Sequence, residues 1–264
     1  GVLAVLAALA MGLLSKESQI LLPLILVLHD LVVLRRSLRS VLPKYLGILG
    51  LLAGYLALRS MVGVITLRSA SVVPLTELLR SYAFSAWTIV RLAIAPTDLN
   101  AFHNYLPPAL AVAVLIVVLF AAATIALALA VRRSPSNSSL RLALFGWLWF
   151  LISLVPVCTT GPNLRMVGDR YAYMPLVGLS IAIVPLVEYA FQALKRLPHG
   201  NQLQMGAAVL VGLVWLGQGW ATAERGKDWL SDRTLMASSV REDPDNPYGL
   251  YGIGEMLALD GDFA

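Results

Sequence analysis

Four bases stand at the edges of long apolar runs, where a lone charge is costly: Lys16, Arg59, Arg165 and Arg170. Arginine suits phosphate because its planar fork donates two hydrogen bonds in a fixed geometry. Gathered on one membrane face, these bases would hold an anionic headgroup whose tail stays in the bilayer. Arg170 lies in VGDRYAYMP (Val167 to Pro175), beside Asp169 and with Tyr171 and Tyr173, at the lip of an apolar run. An ion pair between neighbours, flanked by aromatic anchors, accounts for the same stretch without any ligand. Lys16 and Glu17, in the tight connection SKES, and Arg59 also fit as charges snorkelling to the interface. The stretch APTDLNAFHNYLPP adds Asp98, His103 and Tyr105. His103 is a possible acid-base group there, or a plain surface hydrogen-bonder. One cysteine, Cys158, and three scattered histidines give no grounds for a disulfide framework or a zinc site.

What must position these residues is a membrane. The chain is 58% hydrophobic and 13% charged over 264 residues, far from the charge content of soluble domains. Its excess charge of +5 is modest and suggests basic loops rather than a nucleic-acid partner. A spanning helix needs roughly 20 apolar residues. Candidates are Gly1 to Leu14, Gln19 to Leu34, Leu42 to Leu67, Ala109 to Val131, Leu142 to Val157, Met174 to Leu194 and Leu203 to Thr222. Basic clusters after alternate spans (Arg35 to Lys44, Arg132 to Arg141, Lys195 and Arg196) are cytoplasmic by the positive-inside rule. Every polar candidate named above then faces outward. Glu77 to Pro96 is apolar too, yet both its flanks must lie outside. Glu77, Arg80, Ser81, Ser85, Thr88 and Arg91 share one helical stripe, opposite a wide face with Trp87, Ile89, Val90 and Leu92. That pattern predicts an interfacial helix on the outer leaflet.

After Thr222 the composition turns polar. Aligning Pro244 with the proline that closes a tetratricopeptide repeat puts Leu250, Ile253, Gly254 and Leu257 on signature positions of the next repeat. Lys227 to Asp243 would be the helix packed beneath. The opening GVLAVLAALAMGLL lacks an initiator Met and a basic n-region, and LALDGDFA stops in mid-pattern, so the chain is expected to be part of a longer protein. The domain expectation is a membrane unit over 1–222 and the start of an extracytoplasmic repeat array over 223–264.

Taken in order, KESQILLPLILVLHDLV, VRLAIAPTDLNAFH, GDRYAYMPLVGLSIAI and a repeat start near DW resemble the bacterial relatives of the transmembrane and tetratricopeptide-repeat O-mannosyltransferases. The resemblance covers nearly the whole chain and rests on KES…P…D together with DRY-x-Y-x-P. It implies the multi-span fold of the C class of glycosyltransferases. It also implies transfer of a sugar, usually mannose, from a polyprenyl-phosphate carrier to a protein hydroxyl on the outer face. The family's acidic catalytic motif lies in its first outer loop, so the resemblance places the base ahead of Gly1 and only the donor-binding half in this chain. Alone, the chain is expected to be inactive.

The expectation is therefore an all-α membrane bundle of about seven spans in a bacterial inner membrane, without a resident cofactor and with a divalent metal left open. Its donor site would draw on Lys16, Glu17, Arg59, Arg165, Asp169, Arg170, Tyr171 and Tyr173, with His103 as a possible addition. Partners would be membrane lipid, the polyprenyl-phosphate sugar and an acceptor polypeptide on the repeats. A membrane-anchored repeat scaffold is the main alternative. A transporter fits less well, because its charges would lie near the midplane.

Overall fold

The computed structural model describes residues 2–62, 73–97, 99–164 and 166–260. Helix α1 (Val2–Ser15) turns back through a 3₁₀ segment (Glu17–Leu21) into α2 (Leu22–Leu28), which ends in a π-helical turn (His29–Val33). Helix α3 (Leu38–Met61) returns, and its Val41, Tyr45 and Ile48 bury Leu9 and Leu13 of α1. Helix α4 (Leu75–Ile94) precedes a loop holding β1 (His103–Asn104). Helices α5 (Leu110–Arg133) and α6 (Ser138–Leu164) form a hairpin. The strand β2 (Met166–Val167) and a 3₁₀ turn (Asp169–Ala172) lead into α7 (Tyr173–Lys195) and α8 (Gly200–Asp228). Two short helices, α9 (Asp232–Glu242) and α10 (Pro247–Asp260), complete the described chain.

The protein is mostly helical, and among the described residues four stretches are long and apolar enough to cross a membrane: Leu110–Arg133, Ser138–Cys158, Asp169–Lys195 and Gly200–Asp228. Shorter apolar helices, Leu3–Ser15, Gln19–Val33 and Tyr45–Met61, occupy the places of the first three expected spans. Their outward faces are apolar as lipid-facing surfaces are; on α5, Leu115, Val118, Leu119 and Ile125 are all exposed.

The centre of the bundle is the crossing of α6 and α7. A Cβ on Gly178 would lie 2.5 Å from the Phe150 backbone nitrogen, and one on Gly146 would press just as closely on that of Ala182. Only hydrogen fits at both positions, which lets the two backbones touch. Lipid tails are as apolar as leucine, so such close van der Waals contact is what holds membrane helices together. Around the crossing, Phe150, Leu154, Leu179, Ala172, Ala86 and Ile89 form one buried cluster shared by α4, α6, α7 and the 3₁₀ turn before α7.

Helix α4 falls where an amphipathic helix is expected, but its polar stripe is not turned to water. Ser81 and Ser85 are completely buried and Thr88 nearly so, while Trp87 is exposed. The reason is size. Ser81, Ala83, Ser85 and Ala86 are small enough to bring α4 close to its neighbours, and Tyr82 Oη donates to the carbonyl of Leu151 on α6 at 3.0 Å.

Three expected boundaries also move. Helix α6 continues through Pro156 to Leu164; helices in a membrane tolerate an internal proline. Helix α8 passes Thr222 without interruption and ends at Asp228, so the change in composition there is not an element boundary. The expected helix from Lys227 to Asp243 is consequently split. Its first residues finish α8, and α9 begins after Ser231, whose side chain and that of Thr234 cap each other's backbone.

Candidate functional site

The site is built where three chain segments meet at one end of α6. Strands β1 and β2 pair antiparallel with His103 opposite Val167 and Asn104 opposite Met166. Gly168 follows, and a Cβ there would collide with the carbonyl oxygen of Ala101, so a glycine is required for the close approach. The Asp169 amide then donates to the Asn100 carbonyl at 3.2 Å. These contacts fix Asp169 at the start of the 3₁₀ turn, where the helix-terminal amides favour a negative charge.

The Asp169 carboxylate is shared between two partners. His103 Nε2 lies 2.5 Å from Oδ1, and Arg225 Nη2, reaching in from α8, lies 3.5 Å from Oδ2. All three side chains are largely buried, with 13%, 17% and 11% exposed for His103, Asp169 and Arg225. Arg225 also donates from Nη1 to Asp228 Oδ2 at 2.9 Å and to Ser238 Oγ at 3.0 Å. Its Nε and Nη2 have no hydrogen-bond partner among the described residues. Arg241 balances Asp228 at 3.3 Å, so two acids and two bases offset each other here. A histidine held by a carboxylate has its ring orientation fixed, which is what an acid-base pair requires.

The α9–α10 pair is fastened to the same loop. Asn100 donates to the carbonyl of Ser239 at 3.2 Å, and Asn104 bonds Asp243. Asn246 is fully buried and acts twice. Its Oδ1 accepts from the amides of Tyr248 and Gly249 at 3.1 Å, capping α10, and its amide nitrogen donates to the Phe102 carbonyl. The Phe102 and Tyr248 rings stack at 5.8 Å.

Beside this network, between α4, α7 and α8, is a cavity of about 540 Å³. Leu92, Ala93 and Leu176 line its apolar part, and Asp169, Arg225 and Thr222 its polar end. Gln218 of α8 donates to the Ala93 carbonyl at 2.7 Å and so ties two of its walls. A smaller cavity of about 300 Å³ is lined by His103, Trp87 and Arg91, placing the His103–Asp169 pair between the two spaces.

Of the residues singled out in the sequence, the structure brings His103 and Asp169 into contact. It does not pair Asp169 with its neighbour Arg170. The Arg170 guanidinium instead lies over the rings of Phe102 and Tyr171, at 5.5 and 5.2 Å, and no carboxylate among the described residues pairs with it. Tyr173 is exposed at the start of α7. Lys16 is exposed at the end of α1, and Glu17 opens the 3₁₀ turn that follows. Arg59 donates to Tyr55 Oη at 2.9 Å on its own helix. Among the described residues, no contact joins Lys16 or Arg59 to Asp169 or Arg170. Arg165 and Asp98 lie outside the described residues. Among the described residues, no group of three or more His, Cys, Asp and Glu side chains is arranged to hold a metal ion.

Arg225, Asn100, Asn104 and Asn246 are the components that sequence reasoning passes over. Arg225 sits in the polar tail after Thr222, which the alignment on Pro244 assigns to a separate repeat. The Asn246–Pro247 pair does carry a local signal, a cap followed by proline at the first helical position. The aspartate of KES…P…D, Asp30, lies far from this site. It is buried at the other end of the bundle, where Tyr45 Oη donates to it at 3.3 Å and Arg36 approaches to 3.5 Å. Comparison with known protein families, curated proteins and solved structures finds no match for this chain.

Proposed function

We propose that the chain is the donor-binding part of a membrane glycosyltransferase that moves a sugar, mannose in the first instance, from a polyprenyl-phosphate carrier to a protein hydroxyl. The observation that carries the reading is the cavity between α4, α7 and α8. Its lining is apolar at Leu92, Ala93 and Leu176 and includes the Arg225 guanidinium, whose Nε and Nη2 make no hydrogen bond among the described residues. A prenyl phosphate has the same division into apolar tail and anionic head, and its charge would supply the acceptors that Arg225 Nε and Nη2 lack. Arg170, on its aromatic bed, adds a second cation at this end, and the exposed Tyr173 offers a ring on which a sugar can lie. The sequence resemblance supports the same reading. It would place this face outward in a bacterial inner membrane, with seven spans and with α9 and α10 as the first helices of a repeat array that holds the acceptor.

The test is binding followed by transfer. The 264-residue chain in detergent is expected to be labelled by a photoreactive polyprenyl-phosphate mannose at α4, α7 or α8, and Arg170→Ala and Arg225→Gln should each lower that labelling about tenfold or more. In membranes carrying the full-length protein, Arg170→Ala should lower mannose transfer by a similar factor. Labelling that ignores both substitutions removes the site. A wild-type protein that transfers from no prenyl-phosphate sugar favours the membrane-anchored scaffold instead.

A further inference from the structure

The opposite end of the bundle holds an arrangement that the donor site does not use. Arg35 and Arg141, more than a hundred residues apart, both donate to one carbonyl oxygen, that of Pro135, at 3.4 and 2.5 Å. Two guanidiniums on a single neutral acceptor repel each other. The arrangement is also held with some strain, because Arg35 is one of two non-glycine residues with positive φ among the described residues, at 57°. Arg141 Nε is buried with no partner among the described residues, so one donor of the pair lacks an acceptor. The amides opening α6 at Ser138 add the positive end of a helix dipole beside Pro135.

Among the described residues, no carboxylate is placed to compensate. Asp30 is the single acid between Glu17 and Glu77 and is taken by Arg36 and Tyr45. Between Asp98 and Asp169 there is no acid at all. The other carboxylate at this end, Glu188 on α7, accepts from Gln192 of its own helix. Arg132 and Arg133, both exposed, extend the positive patch. The neighbouring apolar residues in the chain are open: Leu34 and Leu142, adjacent to Arg35 and Arg141, and Leu38 are 47%, 39% and 60% exposed.

We propose that Arg35 and Arg141 form a binding site for the phosphate of an anionic phospholipid, whose acyl chains lie along Leu34, Leu38 and Leu142. The phosphodiester supplies oxygens to both forks and to Arg141 Nε, and its charge relieves the repulsion across Pro135. The open leucines distinguish a lipid from a soluble anion, which would leave them uncovered.

The experiment is native mass spectrometry of the purified chain in detergent. The detergent carries equimolar phosphatidylglycerol and phosphatidylcholine with the same acyl chains. Wild type is expected to retain phosphatidylglycerol preferentially. Arg35→Gln with Arg141→Gln should lower that preference by about fivefold per arginine. Arg233→Gln, at an exposed position near the α10 end, should leave it unchanged. If the double variant does not fold, Arg141→Gln alone is read the same way. Equal retention of both lipids by wild type, or a preference that survives loss of both arginines, overturns the proposal. Displacement of the retained lipid by an equal concentration of glycerol 3-phosphate overturns it too, and assigns the site to a soluble phosphate.

Discussion

Replacing Asp169 with asparagine keeps the shape of the side chain and removes its charge. At 3.5 Å the attraction between Asp169 and Arg225 is about 5 kcal/mol gross at an effective dielectric constant of about 20, before desolvation is subtracted. Both side chains are under one-fifth exposed, so the discount that applies to surface pairs does not apply. Asparagine still accepts from His103, but as a neutral group, which gives up roughly half the strength of the charged hydrogen bond. Removing one member of a buried pair typically costs about 3–5 kcal/mol. Arg225 retains Asp228 and Ser238, so the lower end, about 3 kcal/mol, is expected. The assay is SDS titration in mixed micelles, followed by the fluorescence of the six tryptophans, one of which, Trp229, lies under the Arg225 guanidinium at 6.0 Å. Running Asp169→Asn, Arg225→Met and the double variant closes a cycle, and a coupling of about 1.5 kcal/mol or more is expected between residues in direct contact. A single-variant cost under about 1 kcal/mol with coupling below about 0.5 kcal/mol would refute the claim that this pair joins α8 to the Asp169 turn.

Packing and helix capping set three further outcomes. Gly178→Leu drives a side chain into the Phe150 backbone and should cost about 3 kcal/mol or disrupt the fold, seen as a lower Tm in detergent. Gly206→Leu, with nothing within 4 Å of its Cβ position, should leave Tm almost unchanged. Asn246→Ala removes the cap of α10 together with the bond to Phe102, a loss of about 2 kcal/mol. Limited proteolysis should then release α9 and α10 several-fold faster while leaving α5 to α7 protected.

Much of this protein is legible in the order of its residues. Apolar runs near twenty residues long mark helices whatever they pack against, because a backbone in lipid has to satisfy its own hydrogen bonds. The spans at α5, α7 and α8 are therefore readable from composition, and the amphipathic pattern of Glu77 to Pro96 is enough to locate α4. The motif VGDRYAYMP is equally visible as a place where charge meets membrane. Its pairing is not. Adjacent side chains point apart, so Asp169 does not meet Arg170 but meets His103, which precedes it by sixty-six residues, and Arg225. The burial of Ser81 and Ser85 is likewise hidden, because a hydroxyl reads as polar in sequence whether it faces water or fills the gap between two helices. Gly146 and Gly178 look unremarkable in the sequence and become decisive only when α6 and α7 cross at that height. Local periodicity follows from the order of residues alone. Which distant residues share a carboxylate, a carbonyl or a cavity depends on how the helices cross, and that is decided by packing.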